Sequence, residues 1–559
     1  MRPTSYLRLA AVLALILIAS TASARQAPTT TSAQQAPTNE AGPPVRFEIS
    51  FPAAVHDQPI TGRVYVMITR SGGREPRLQL SQVDGIPFFG RDIDQLAPGE
   101  TAVIDQTDLG FPVDSLRDIP DGDYFVQAFV NIYTRYPRAD GHVVWMHEDQ
   151  WEGQRWWASP GNLHSSVQRL RLNASEGYRI QLVADQEIPP VTVPPDTEWV
   201  KRFSFISPML SEFWGRPIRI GATVLLPRDY DRETIAYPVL YQQGHFSLRA
   251  PLGFRVGTDL YEAWVGDDFP RMIVVTFQHP TPYFDDSYAV NSANVGPYGD
   301  ALLEELIPEV ESRFRIIREP YARLLEGGST GGWEALALQL FHPDFFGGTW
   351  CYCPDPVTFS AYEGVDIYND TNAFYKQHEW YRVPTPNIRD TLGRVRLTVE
   401  QKNRFEYVNG TKGRSGRQMD IWSAVFGPVG ADGYYEPLFD KLTGEINEEV
   451  AAYWKEHYDL LAYMQRNWGT LGPEIVDKLH IYTGDMDTYY LDVGVVLLER
   501  WMKETTNPHY PGFFMYGDRQ PHCWSGGVTQ AERLREMAQF VLRKQPAGTT
   551  APWWPGARR

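Results

Sequence analysis

Cysteine is almost missing from this chain: three residues, Cys351, Cys353 and Cys523, in a length of 559. That excludes a disulfide scaffold. With no Cys/His cluster at short spacing it also argues against a metal site, and no cofactor-binding motif is present. Long hydrophobic runs are missing as well. The one strongly apolar stretch, Leu9 to Ala19, is too short to span a bilayer and does not recur, so no membrane anchor is expected. Basic residues are outnumbered, 52 Lys and Arg against 69 Asp and Glu, for a net charge of −17. Such a surface excludes nucleic acid and anionic lipid as expected partners. What remains is a globular composition, 43% hydrophobic and 22% charged, long enough for several domains.

The amino terminus has the layout of an export signal. Arg2 and Arg8 precede the apolar run, and Ala22-Ser23-Ala24 offers a small-residue cleavage site. We therefore expect residues 1–24 to be a signal peptide and the mature protein to be secreted or periplasmic. Residues 25–43, rich in Pro, Thr, Gln and Ala, cannot bury enough apolar surface to fold and are expected to form a flexible linker.

Residues 44–187 show short alternating or apolar runs separated by turns, with no helical period. Phe47–Phe51, Arg63–Thr69, Tyr124–Val130 after the turn Pro120-Asp121-Gly122, and Val167–Leu172 are the clearest. The pattern predicts an all-β, Ig-like sandwich. Proline recurs in 188–197, predicting a stiff linker. From 198 to 545 strands alternate with helices, which predicts an α/β fold with a doubly wound, mostly parallel sheet. Pro238–Gln243 and Met272–Phe277 suit central strands, and Tyr298–Phe314 reads as an amphipathic helix. About 354–472 is more chain than such a sheet needs. It contains a helical pattern over Ile446–Trp468 and many aromatics, and is expected to be a cap insertion over the strand ends. Residues 546–559 form a tail.

The most informative segment is Ala322–Leu338. It reads as a buried strand, a turn of small residues around Ser329, and a helix. Gly327-Gly328-Ser329-Thr330-Gly331 fits G-x-S-x-G, the turn that lifts a nucleophilic serine above a sheet. The glycines answer a steric demand, since Cβ atoms there would collide with the adjoining strand and helix. A serine nucleophile needs a base and a group to orient it. After the strand ending at Thr483 comes Gly484-Asp485-Met486-Asp487, and after the strand ending at Tyr516 comes His522. His522 is the expected base. Asp487 is preferred over Asp485 as the acid because it lies far enough past the strand to turn back. The oxyanion hole should combine the backbone N–H groups of Thr330 and Phe246. His245 is expected to line the site, as are Trp380 and Trp422 from the insertion. A bridge from Cys523 to Cys351 or Cys353 would hold the loop of His522 in place. Cys353–Cys523 is the candidate pair, although strand alternation puts Cys351 and Cys353 on one face and does not choose between them. Buried free thiols are the alternative.

Tyr237–Tyr241, Tyr298–Pro308, Gly327–Gly332 and His342–Gly347 together resemble the esterase D-like group of α/β-hydrolases, the Putative esterase family. That group includes feruloyl and enterochelin esterases, S-formylglutathione hydrolases and mycolyltransferases. The likeness covers roughly residues 200–350 and 475–540. Gln243-Gly244 stands where the family usually has His-Gly, and Thr330 where Met, Ser or Phe is more frequent. The resemblance implies an α/β-hydrolase fold, a triad of Ser329, Asp487 and His522, and hydrolysis of carboxylic esters through an acyl-enzyme. The expected partner is a small-molecule or polysaccharide-linked ester, with feruloyl or acetyl groups of plant polymers as candidates. A siderophore esterase, an acyltransferase, and a non-catalytic glycan-binding protein on the same scaffold are the alternatives.

Overall fold

The computed structural model describes residues 42–153, 155–283 and 286–554. The expected signal peptide and all but the last two residues of the expected tether lie outside that range. From Pro43 on, the chain is one compact unit. Among the described residues no helix is long and apolar enough to cross a membrane.

The N-terminal region is all-β. A three-stranded sheet places Val45–Ser50 between Tyr178–Val183, parallel to it, and Ala102–Asp105, antiparallel. A seven-stranded sheet is built on the antiparallel pair Ile60–Thr69 and Gly122–Ile132. Alternation along these strands sorts their side chains. Val64, Val66, Ile68, Val126, Ala128 and Val130 share a core with Phe47 and Ile49 of the smaller sheet. Tyr65, Met67 and Phe129 point the other way, into a second core with Trp156, Phe405 and Val408. The larger sheet is therefore covered on both faces, and residues from the 354–472 segment supply part of the second cover. That explains why all ten residues of Ile60–Thr69 are buried.

The rest is organised by one eight-stranded mixed sheet. Its strands in chain order are β1 (Val200–Ser207), β2 (Ile218–Leu225), β3 (Val239–Gln243), β4 (Ile273–Gln278), β5 (Arg323–Gly328), β6 (Gly348–Tyr352), β7 (Leu479–Gly484) and β8 (Phe513–Gly517). The spatial order is β1-β2-β4-β3-β5-β6-β7-β8. β2 is antiparallel to both β1 and β4, and every other neighbouring pair is parallel. The central strands are buried on both sides, which is why β3 and β4 open as continuous apolar runs, Val239–Tyr241 and Ile273–Val275. Helix α1 (Thr330–Phe341) follows β5 with no intervening loop beyond Ser329.

Two elements differ from the sequence reading in their details. The amphipathic stretch from Tyr298 is helical to Arg313, but Ala301–Leu306 is a π-turn. The N–H of Ile307 reaches back to Leu302, just before Pro308, which has no N–H to give. The stretch Ile446–Trp468 is two helices, not one. Within the insertion, α2 (Val399–Asn409) and α3 (Gln418–Phe426) are followed by α4 (Glu448–His457) and α5 (Leu460–Ile475). The break falls at Tyr458–Asp459, because the Asp459 carboxylate accepts the Ala462 N–H at 2.7 Å and so caps a new helix.

Glu326 is the one acid buried within the elbow strand β5. Its carboxylate accepts from Tyr352 Oη at 3.2 Å and from Gln242 Nε2 at 3.3 Å. Burial raises its pKa from 4.5 to about 7 against those bonds. The native state thus holds this proton more tightly than the unfolded chain, and stability falls as pH rises between 4.5 and 7. Glu326→Gln should leave the melting temperature near that of the parent at pH 5. At pH 8 it should raise it, by the equivalent of about 3 kcal/mol. Paired thermal melts at the two pH values check this, and an equal shift at both would refute it.

Candidate active site

Ser329 sits where β5 meets α1, with φ +59° and ψ −123°. This is a backbone region that non-glycine residues avoid, and such strain persists only where the surroundings impose it. Here they do. The Ser329 N–H donates to Tyr352 O at 2.9 Å and ties the turn to β6. A Cβ on Gly331 would lie 2.3 Å from Gln243 O, and one on Gly327 would lie 2.2 Å from Gly331 O. Both obstacles are backbone, so neither can swing aside. Gly331→Ala is expected to cost about 1–3 kcal/mol of stability. By pushing α1 off β3 it should also lower turnover about 10²-fold. Thermal melts and steady-state rates measure both effects.

Ser329 and His522 open onto one cavity of about 570 Å³. His522 Nδ1 is 2.7 Å from Asp487 Oδ2. Asp487 is completely buried, and its other oxygen accepts the N–H groups of Tyr489 at 2.8 Å and Leu491 at 3.3 Å. Burial is the largest single influence and works against the charged imidazole, but Asp487 and, after it, Cys523 together outweigh it and raise the His522 pKa above its ordinary value. The Tyr489 ring meets the imidazole edge-on, with centroids 4.9 Å apart. Asp485 does something else: its carboxylate accepts the Arg519 N–H at 2.6 Å and bonds the two loops together.

The serine hydroxyl does not point at His522. It donates to Asp355 Oδ1 at 3.2 Å, and among the described residues no hydrogen bond joins Ser329 to His522. Asp355 was not a sequence candidate. It follows β6 by three residues, is 2% exposed, and also accepts from Tyr288 Oη at 2.7 Å and Thr330 Oγ1 at 3.1 Å. Burial raises its pKa, with Tyr288 working against the shift. The only signal in the sequence was an aspartate just past the strand beside the elbow.

Thr330 opens α1, where the first N–H groups have no partner within the helix, so its amide suits a developing oxyanion. The Phe246 N–H does not share that task. It donates to Asp286 Oδ1 at 2.9 Å, while the other oxygen of Asp286 holds His245 Nδ1 at 2.7 Å. One buried carboxylate thus clamps two successive residues of the loop after β3. His245 lines the cavity.

Trp422 also lines the cavity, with its Nε1 donating to Tyr288 Oη at 2.7 Å. Trp380 does not. It is 84% exposed, in the turn of a small hairpin of Tyr375–Gln377 and Arg382–Pro384, and is not among the residues lining the cavity. The bridge Cys353–Cys523 is not formed, and all three cysteines are free. Backbone hydrogen bonds hold the loop of His522 in its place: Asp485 N–H to Gly517 O at 3.1 Å and Met486 N–H to Gln520 O at 3.2 Å. Leu80, Ser81 and Gln82 complete the cavity wall from the N-terminal β-region. No sequence pattern pointed to them.

Among the described residues, two groups bring three metal-type ligand atoms within 4.8 Å of one another: Cys353, Asp487 and His522, and His147, Asp149 and Glu152. In the first, His522 and Asp487 already bond each other, and burial pushes the Cys353 thiol well up, away from the thiolate a metal needs. In the second, His147 Nε2 and Glu152 Oε1 lie 2.5 Å apart and Ser159 donates to the same oxygen at 2.6 Å.

Residues 214–399 match the model of the family described as Putative esterase. No curated protein matches the chain. Among solved structures it is similar to a ferulic acid esterase at 16% identity, with TM-score 0.33, over 62% of this chain and 97% of the other. It is similar to an S-formylglutathione hydrolase from Agrobacterium tumefaciens at 12% identity, with TM-score 0.34, over 62% and 99%. It is also similar to a ferulic acid esterase from Anaeromyces mucronatus, solved in complex with ferulic acid, at 14% identity, with TM-score 0.28, over 63% and 93%.

Proposed function

We propose that the protein is a serine esterase of the α/β-hydrolase type that cleaves carboxylic esters through Ser329, His522 and Asp487. The observation that carries this reading is the strained Ser329, held at φ +59° between β5 and α1 and sharing its cavity with His522, which is bonded to the buried Asp487. The family match over 214–399 supports the same class of reaction.

With substrate bound, the Ser329 side chain turns from Asp355 towards His522. Because Nδ1 of His522 is bonded to Asp487, Nε2 is the nitrogen that takes the hydroxyl proton. The serine oxygen attacks the ester carbonyl, and the Thr330 N–H at the positive end of α1 meets the oxyanion. His522 returns the proton to the leaving alcohol, and water then releases the acid by the same steps. The insertion acts as a cap, and its Trp422 gives the cavity an aromatic wall suited to a phenolic or sugar group. Feruloyl or acetyl esters of plant polysaccharide are the substrates we favour, and secretion or periplasmic export fits the amino-terminal pattern.

Hydrolysis of p-nitrophenyl acetate and methyl ferulate by the mature protein and by Ser329→Ala tests the reading. Turnover that disappears in the variant is expected. Failure of a fluorophosphonate probe to label the parent at Ser329 would overturn it in favour of a binding protein.

A further inference from the structure

Among the described residues, the lysines and arginines in and behind the cavity wall are matched with acids, with one exception. Lys402 Nζ lies 2.9 Å from Glu363 Oε1, both side chains being almost fully buried. Lys441 is held by Glu406 and Asp420. Arg417 forms part of the cavity wall, yet its Nε and Nη2 are enclosed and have no hydrogen-bond partner among the described residues. The closest acid by charge is Glu406, but its oxygens are already taken by the N–H groups of Met419 at 3.1 Å and Asp420 at 3.0 Å and by Lys441.

What holds the guanidinium is stacking: its carbon lies 4.8 Å from the Trp157 ring centroid and 5.0 Å from that of Phe405. Cation–π contact fixes the plane of the fork but leaves its N–H groups unanswered. An enclosed N–H without an acceptor is costly, and that cost is removed when an acceptor arrives. Arg417 and Ser329 line the same cavity, and its sequence neighbour Gln418 places Nε2 3.4 Å from Asp355 Oδ2, the carboxylate that holds the nucleophile.

We infer that Arg417 is a recognition subsite for a carboxylate carried by the ester substrate, received by the planar guanidinium once a turn of the side chain brings its unpaired N–H groups to the cavity. Burial lowers the Arg417 pKa to about 10, which still leaves the group charged at neutral pH and agrees with a cation that lacks a counter-ion. The subsite deepens the esterase reading and rests on it. Neutral feruloyl or acetyl groups alone would not satisfy Arg417. An acidic sugar or an aromatic acid in the same ester would.

Two substrate pairs differing by one charge test this. 4-Acetoxybenzoate against its methyl ester puts the carboxylate on the alcohol side. 4-Nitrophenyl hydrogen adipate against 4-nitrophenyl hexanoate puts it on the acyl side. In the parent, KM for the anionic member of one pair should be about tenfold lower than for its neutral partner, the worth of one charge-assisted bond. Arg417→Gln should bring that ratio to about two or less, and Arg417→Lys, which keeps the charge and serves if the first variant does not fold, should fall between. Calorimetric titration of adipate and 4-hydroxybenzoate into Ser329→Ala protein reads the subsite without turnover. Binding that weakens about tenfold or more when Arg417→Gln is added supports it. No preference within either pair together with no binding of either anion overturns it, as does a preference that survives Arg417→Gln. If neutral esters show no Ser329-dependent hydrolysis, the esterase reading fails alone and the titration still decides the subsite.

Discussion

Ser329→Ala should reduce kcat on p-nitrophenyl acetate by about 10⁶-fold, with KM changed by no more than about threefold. The variant removes the hydroxyl of the strained residue and leaves Thr330, His522 and the cavity wall in place, so binding should survive while the acyl-enzyme path closes. A residual rate of about 10³-fold over water would be the share of the oxyanion donor and of binding. The resting bond from Ser329 to Asp355 adds a second expectation. When the hydroxyl is gone, Asp355 keeps its bonds from Tyr288 and Thr330, so the melting temperature should stay within a few degrees of the parent. Rates and melts on the same preparations check both. A kcat within tenfold of the parent would remove Ser329 from the chemistry.

The parts of this site that the sequence revealed are those set by local rules. The elbow could be read because G-x-S-x-G between an apolar strand and a helix is a steric requirement, and each glycine does face backbone. Asp487 and His522 could be located because each follows the end of a late strand, where parallel sheets gather their functional loops. What could not be read depends on which distant group arrives. The Phe246 amide looked available until Asp286, forty residues on, accepted it. Trp380 and Trp422 had equal claims from composition, but Trp422 lies in the buried helix α3 and Trp380 lies in the exposed turn of a hairpin. Asp355 carries no motif at all; its importance comes from the register of β6 beside β5, which sets it next to the serine. The same holds for the fold. Alternation indicated a β-region and an α/β sheet, but nothing local said that the larger β-sheet would be covered by Phe405 and Val408, or that Leu80 to Gln82 would reach the cavity. Those contacts join segments far apart in the chain.

Asp487→Asn should cost about 10⁴-fold in kcat, for a reason separable from the loss of Ser329. An amide in place of the carboxylate can donate to Nδ1 rather than accept from it, which turns the imidazole to the tautomer that cannot take the serine proton at Nε2. The pH profile should move too. Asp487 raises the His522 pKa, so in the parent the active, uncharged imidazole appears only as pH climbs past that raised value, and the rate grows with it. Removing the carboxylate lets burial dominate and lowers the pKa, and the rising limb of kcat/KM should shift to lower pH even as its plateau falls. Asp485→Asn is the control. That aspartate bonds the Arg519 amide across to the neighbouring loop, so its loss should cost no more than about tenfold and leave the limb in place. Should the two variants exchange behaviour, Asp485 would be the acid and the 2.7 Å contact between Asp487 and His522 would not be the one used in turnover.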